Sequence, residues 1–246
     1  MSPYFLILAA GMGTRLGRSL PKALTILDGG ETIMNRQIRN IRAAFGPKAH
    51  ITIVVGYKSE HIVETFPDEN FVYNEQYDMT NTSKSLLRGL KSIPKNKGVV
   101  WMNGDVVFDD RLLLNLRHAI DADDKSTITV NSESVSDEEV KYTLDSHGNI
   151  NLLSKQVKST VALGEAVGIN FVSSQDRSSL EAQLKLVDNN DYFEKAIELS
   201  IINDASEYIP FDITLLGLHA TEVDFKEDLQ RANATIIQFG QNKLPA

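Results

Sequence analysis

Directly after its first apolar run, Tyr4–Ala9, the chain places two glycines, Gly11 and Gly13, within a few positions of Arg15 and Lys22. That grouping suits the holding of phosphate oxygens. Glycines allow sharp turns and close backbone approach to a ligand. The N–H groups exposed in such a bend make an anion nest, an arginine adds a forked pair of hydrogen bonds, and a lysine adds a mobile charge. Leu8, Ala9, Ala10, Gly11, Gly13, Thr14, Arg15 and Lys22 are therefore candidate ligand contacts. A bare Gly-x-Gly more often makes only a turn. Leu16 stands where a dinucleotide fingerprint needs its third glycine, and the Gly-Lys-Ser/Thr of a Walker loop is missing.

Two carboxylates form the second candidate group. Asp105 follows the apolar run Val99–Met102 in the string Trp101-Met102-Asn103-Gly104-Asp105. A carboxylate leaving a buried strand at the ligand edge of a sheet suits Mg²⁺, which takes one or two carboxylates with phosphate oxygens and water. Asp109 and Asp110 are better placed than Asp105 to cap the next helix. Asp224, in Glu222-Val223-Asp224-Phe225-Lys226-Glu227, reads on its own residues as a capping box with Glu227. Asn81 and Ser83, in Thr80-Asn81-Thr82-Ser83, likewise read as an ordinary helix start. Gly168 inside an apolar strand pattern marks a close approach of ligand or backbone.

The elements that must carry these residues follow from periodicity. Tyr4–Ala9 and Ile51–Val55 are near-continuous apolar runs, as in parallel strands buried on both faces. Thr32 is positioned to cap a helix carrying Met34, Ile38, Ile41 and Phe45, which Gly46-Pro47 ends. Further strands are expected at Phe71–Tyr73, Val99–Met102, Ser126–Val130 and Ala166–Ser173. A β-hairpin is expected over Val140–Leu144 and Ile150–Leu153, and Phe211–Leu218 is expected to close the sheet. Helices are expected through Leu86–Leu90, Leu112–Ile120, Leu180–Leu184, Phe193–Ile201 and from near Asp224, with residues 240–246 a frayed tail. Strands alternating with helices predict an α/β fold: a Rossmann-like, three-layer arrangement with a mixed, mostly parallel sheet and a small inserted β element. We expect one domain over 1–246, made of two halves, 1–135 and 136–235.

Composition narrows the function. The 246 residues are 42% apolar and 24% charged, ordinary for a globular chain, and no run approaches a membrane span. The absence of cysteine excludes disulfides and thiolate metal sites. No secretory leader is evident, which fits a cytoplasmic location and no membrane partner. The net charge of −8 argues against nucleic acid as a partner. Residues 1–48 nevertheless hold seven Lys or Arg against two acids, a local +5 that suits a small anion. Arg36, Arg39 and Arg42 are read as lining the wet face of their helix.

The longer string Leu8-Ala9-Ala10-Gly11-Met12-Gly13-Thr14-Arg15-Leu16-Gly17…Pro21-Lys22-Ala23-Leu24 resembles the opening of the sugar-phosphate and alcohol-phosphate nucleotidyltransferase family. The Thr80–Leu86 segment, Gly104-Asp105, Gly164-Glu165-Ala166-Val167-Gly168 and Val223-Asp224…Asp228-Leu229 extend the resemblance over nearly the whole chain, toward its phosphocholine- and phosphonate-type cytidylyltransferases. The resemblance implies that Arg15 and Lys22 contact triphosphate oxygens, that Asn81, Ser83 and Gly104 lie beside the nucleotide, and that Asp105 and Asp224 hold Mg²⁺. It further implies that Lys155 faces the acceptor phosphate as a third catalytic cation, with Glu165 and Glu222 at the acceptor end. The expected reaction transfers CMP from CTP to a small phosphate or phosphonate, releasing pyrophosphate. No paired aromatics that would grip a choline head group are evident. The base (UTP, GTP or ATP in a sugar-1-phosphate enzyme), the acceptor and a homo-oligomeric state stay open. The rival readings are a nucleotide-sugar glycosyltransferase, which would usually carry Asp-x-Asp where this chain has Asp105-Val106-Val107, and a non-catalytic nucleotide sensor, which would have lost Lys22, Asp105 or Asp224.

Overall fold

A computed structural model describes residues 2–13, 20–133, 135–203 and 205–241, with side chains described through 236. The first strand, β1 (Tyr4–Ala9), is followed by a 3-10 turn at Lys22–Leu24 and helix α1 (Ile33–Phe45). Thr32 caps α1 as its sequence predicts, accepting from the Asn35 amide at 3.1 Å. Strand β2 (Ile51–Val55), helix α2 (Ser59–Thr65), strand β3 (Asn70–Tyr73) and helix α3 (Thr82–Lys91) come next. After them run β4 (Val99–Asn103), β5 (Val106–Phe108), α4 (Leu112–Asp123), β6 (Thr127–Asn131), the hairpin β7 (Lys141–Leu144) and β8 (Ile150–Ser154), and β9 (Gly164–Val172). The chain continues through α5 (Arg177–Leu186), α6 (Phe193–Ile202), β10 (Ile209–Asp212), β11 (Ala220–Glu222) and α7 (Lys226–Gln241).

The main sheet has the order β10-β6-β9-β4-β1-β2-β3, with the β7–β8 hairpin attached to β9. Strands β4, β1, β2 and β3 are mutually parallel, β9 runs antiparallel to both β4 and β6, and β10 is parallel to β6. The expected mixed, mostly parallel sheet with flanking helices is therefore the observed one. Side chains of β1 alternate between its faces: Phe5 and Ile7 join the core under α1 and α4, whereas Leu6 and Leu8 join the core under α3 and α6. Because β1 pairs with β2 on one side and β4 on the other, its carboxyl end is the switch point where open α/β sheets leave a crevice for ligands. The glycine loop begins there.

Several sequence expectations are corrected. Phe211–Leu218 is not one strand: β10 ends at Asp212, whose carboxylate accepts from the Thr214 amide at 2.9 Å and turns the chain into a 3-10 turn closed by Gly217 at φ +61°. The chain then forms β11, which pairs antiparallel with β5 in a separate two-stranded sheet, and neither strand was expected. Helix α2 was also unforeseen. Helix α7 includes Gly240 and Gln241, and the remainder of the expected tail lies outside the described residues. Arg36 is not on a wet face; it is buried, 4% exposed, and pairs with Glu31 and Asp110. Arg39 bridges the same two acids, and Arg42 pairs with Glu69. Asp110 and Glu69, both from outside the first 48 residues, thus offset part of that segment's basic excess at this helix. No helix among the described residues is long and apolar enough to cross a membrane.

Candidate active site

One large cavity, about 1530 Å³, opens over the carboxyl ends of β1 and β4. Leu8, Ala9, Gly11, Gly13, Lys22, Gly104 and Asp105 line it together with Lys155, Glu165, Tyr192, Glu194 and Glu222, and Glu222 stands beside Asn103 and Val106, next to Asp105. Gly13 has φ +57°, a conformation glycine takes at little cost, and a Cβ there would lie 2.6 Å from Cγ of Lys22. The lysine stem thus lies across the loop backbone. Among the described residues, a Cβ on Gly11 would meet nothing within 4 Å, and Gly11 lines the cavity. At Gly104 a Cβ would crowd the Leu8 carbonyl at 3.0 Å, and the Gly104 amide donates to that same carbonyl at 2.9 Å.

Asp105 sits in the turn between β4 and β5. Buried Gln37 of α1 holds this turn from beneath, its Nε2 donating to the carbonyls of Asn103 at 2.9 Å and Val106 at 2.8 Å. Asp224 reaches the same place through the small sheet. Register pairs Glu222 with Val106, and the Val223 amide donates to the Asp105 carbonyl at 3.0 Å. Lys22 spans the two acids, with Nζ 3.2 Å from Asp105 Oδ2 and a second hydrogen bond to Asp224 Oδ1. Burial pulls the Lys22 ammonium down, but the charges and hydrogen bonds of Asp105 and Asp224 outweigh it, and its pKa lies above the ordinary lysine value. Burial raises the pKa of Asp105, opposed by Lys22 and reinforced by the charge of Asp224. The capping box expected of Asp224 and Glu227 takes another form: Asp228 accepts from the amides of Asp224 at 3.0 Å and Phe225 at 2.7 Å. That leaves the Asp224 carboxylate to face Lys22. Among the described residues, no set of three or more His, Asp or Glu converges as a ready-made metal cage.

The cavity lining holds further carboxylates, Glu165, Glu194 and Glu222 among them. Glu222 accepts from Asn103 Nδ2 at 3.0 Å, and both groups press on Gly168, whose φ is +67°. A Cβ at Gly168 would lie 2.4 Å from Glu222 Oε1, so the close approach expected of this glycine is to a neighbouring side chain. Burial, then the charge of Asp105, pushes Glu222 up to about 8. Glu165 accepts a hydrogen bond from the Ser136 amide. Lys155 Nζ lies 5.1 Å from the ring centroid of Tyr192, and its charge also acts on Glu194. Burial raises Glu194 to about 7, and its Oε2 has no hydrogen-bond partner among the described residues.

Most of the candidate contacts therefore meet around one cavity; among the described ones Ala10, Asn81 and Ser83 do not. Ala10 and Asn81 line a small side pocket of about 70 Å³ with Tyr77, Thr80, Thr82 and Ser85, next to Leu8 and Gly11. Asn81 caps α3, accepting from the Thr82 amide at 2.8 Å, while Thr82 lines both spaces. Ser83 is fully buried and faces neither. Thr14 and Arg15 lie outside the described residues. Sequence reasoning missed Gln37, Asn103 and Glu194. Gln37 had a signal, since it falls between Met34 and Ile41 on the apolar side of α1 and so had to be buried.

The family described as the MobA-like NTP transferase domain matches residues 5–182, and the chain belongs to that family. Among curated proteins it is similar to the bifunctional protein GlmU of Chromobacterium violaceum, 35% identical over 100 residues, which are 41% of this chain and 21% of that protein. The chain thus matches about a fifth of that relative's length. Among solved structures it is similar to CTP:phosphocholine cytidylyltransferase from Streptococcus pneumoniae, with TM-score 0.72, 17% identity and coverage of 96% of this chain and 100% of the other. It is also similar to the inositol-1-phosphate CTP transferase from T. maritima, with TM-score 0.75, 15% identity and coverage of 99% and 98%. At these identities the two structures establish the shared fold.

Proposed function

We propose that the protein is a Mg²⁺-dependent nucleotidyltransferase that moves CMP from CTP to the phosphate or phosphonate of a small acceptor, with release of pyrophosphate. The observation that carries this reading is the shared cavity. A glycine loop, a lysine, two converging carboxylates and Lys155 line one space of about 1530 Å³, roomy enough for a triphosphate and a second substrate. The family match supports the reaction class; the choice of cytidine rests on the sequence resemblance, since the structural neighbours include CTP users and also a glucose-1-phosphate thymidylyltransferase and a UDP-glucose pyrophosphorylase.

The residues fit a divalent cation on one structural ground: Asp105 and Asp224 both direct an oxygen at a single cationic point, at which Lys22 Nζ now stands. With the triphosphate's own oxygens and water, two carboxylates satisfy Mg²⁺ without a protein cage. Such an ion supplies charge neutralisation along the phosphates.

In the proposed reaction the acceptor's phosphate oxygen attacks the α-phosphorus of CTP. The bond from that phosphorus to the bridging oxygen breaks, and pyrophosphate leaves with the electron pair. A phosphomonoester is largely dianionic at neutral pH, its second pKa being about 6, so no base must remove a proton. Of the five histidines, only His219 reaches the cavity. Positioning and charge then do the work. The amides near Gly11 and Gly13 hold phosphate oxygens, Lys22 and Arg15 steady the triphosphate and the departing pyrophosphate, and Lys155 receives the acceptor phosphate. Glu165 and Glu222 shape the acceptor end.

The test is a screen of CTP, UTP, GTP and ATP against a panel of small phosphates, phosphonates and sugar 1-phosphates, following pyrophosphate. Release with CTP and a non-sugar phosphate is the expected result. Release only with a sugar 1-phosphate and another base would favour the sugar-phosphate alternative. No pyrophosphate with any pair, together with release of nucleoside diphosphate when nucleotide sugars are supplied instead, would indicate a glycosyltransferase.

A further inference from the structure

The lysine that should grip phosphate is engaged elsewhere. Its Nζ lies between Asp105 and Asp224, the pair through which the proposed reaction takes its divalent cation. The Lys22 side chain is only 14% exposed, so it cannot simply withdraw its charge into bulk water. A dication placed on the same two oxygens would leave the ammonium beside a like charge in a partly buried place, which is costly. A triphosphate changes that balance, because its oxygens offer the ammonium new partners. The route is short: the Lys22 stem already lies on Gly13, with the Gly13 Cβ position 2.6 Å from Lys22 Cγ, and Gly11, Gly13, Lys22, Asp105 and Asp224 face one cavity. Rotation about the four-carbon stem moves the charge from the acids to the loop.

We propose that Lys22 is an internal counter-ion that keeps divalent cations off Asp105 and Asp224 until a triphosphate draws its ammonium onto the glycine loop. Metal and nucleotide therefore enter as coupled ligands, each raising the other's affinity by the same factor. The ammonium acts as a competitor for one site. If it occupies the acids nine-tenths of the time, the apparent affinity for a free cation falls about tenfold. The consequence is a protein that ignores free metal and assembles its catalytic charge only around a bound substrate.

This inference rests on the reading that Asp105 and Asp224 take a divalent cation, and its test separates the two. The full chain is titrated with Mn²⁺ alone, free ion being followed by its electron paramagnetic resonance signal. The proteins are wild type, Lys22→Gln, Lys22→Met, Lys22→Arg and the Lys22→Gln/Asp105→Asn double variant, each checked by circular dichroism and thermal melting. The expected result is Mn²⁺ affinity about tenfold or more tighter in Lys22→Gln and Lys22→Met. Lys22→Arg, which keeps a cation, should bind as weakly as wild type, and the double variant should lose the gain. Measurable binding that is equal in wild type and both neutral variants overturns the proposal while leaving the carboxylate reading intact. No binding to Lys22→Gln or Lys22→Met, with both folded, overturns the proposal and the carboxylate reading together.

Discussion

The backbone amide of Val223 donates to the carbonyl oxygen of Asp105 at 3.0 Å, and this single bond sets the two candidate metal carboxylates side by side. Beneath it, β11 pairs with β5, so the arrangement depends on the fold of the small sheet rather than on any local motif. Replacing Asp105 with Asn should keep this backbone bond and remove the charge. Turnover should fall by roughly 100-fold or more, the scale seen when a preorganised charged contact is lost. Triphosphate affinity should change only a few-fold. Steady-state kinetics beside equilibrium titration would check this, and near-normal turnover would remove Asp105 from the metal assignment.

Gln37 should matter to activity without touching substrate. Its two hydrogen bonds hold the turn that carries Asp105, and Leu in its place would strand the carbonyls of Asn103 and Val106. A loss of about 1–3 kcal/mol is expected for such unsatisfied buried groups. That corresponds to a melting temperature lower by several degrees in a chain of this size. Turnover should drop more than either KM rises. A variant that loses stability but keeps wild-type turnover when folded would show that the turn holds its shape unaided.

Two glycines make opposite predictions. At Gly11 a Cβ meets open space, so Gly11→Ala should melt like wild type yet bind triphosphate at least about tenfold more weakly, because the methyl takes room the phosphates need. At Gly168 a Cβ would collide with Glu222 and Asn103 at a φ of +67°. Gly168→Ala should therefore cost about 1–2 kcal/mol of stability and raise KM for the acceptor more than for the nucleotide. Thermal melts and separate KM values check both.

Glu194 gives the pH prediction. Burial raises its carboxyl to about 7, against an ordinary glutamate value in the unfolded chain. The folded protein therefore holds a proton that the unfolded chain releases. The stabilising contribution is complete below the unfolded pKa and is lost as pH rises through about 7. Glu194→Gln should match wild type near pH 4.5 and exceed it at pH 8 by on the order of 2 kcal/mol. Chemical denaturation at the two pH values measures the difference. An equal gap at both values would show that Glu194 does not titrate in this range.

What the sequence made legible was local. The apolar run of β1, the Thr32 cap and the β7–β8 hairpin carry their signals within a few residues, and the structure contains each of them. Helix α2 is short, and Lys58 just before it takes a left-handed conformation and supplies no side-chain cap, so nothing announced it. Strands β5 and β11 are three residues each and exist only because they pair with one another. The same reason hid the Asn103–Glu222 bond, whose partners stand 119 positions apart. Arg36 was misplaced because its neutralising partner Asp110 lies beyond its own helix, where helical periodicity carries no information.

The central claim is that the Gly11–Gly13 bend, Lys22 and the Asp105–Asp224 pair form one triphosphate site. Its most direct test is calorimetric titration of the full chain with each of the four ribonucleoside triphosphates in the presence of magnesium, in wild type and Gly11→Ala. The account predicts saturable one-to-one binding of at least one triphosphate, CTP foremost, with dissociation constants of roughly 1 μM to 1 mM, the usual range of enzyme KM values. That binding should weaken at least about tenfold in the variant, whose added methyl would enter the space proposed for the phosphates. Absence of heat with all four nucleotides, or equal affinity in the two proteins, would contradict it.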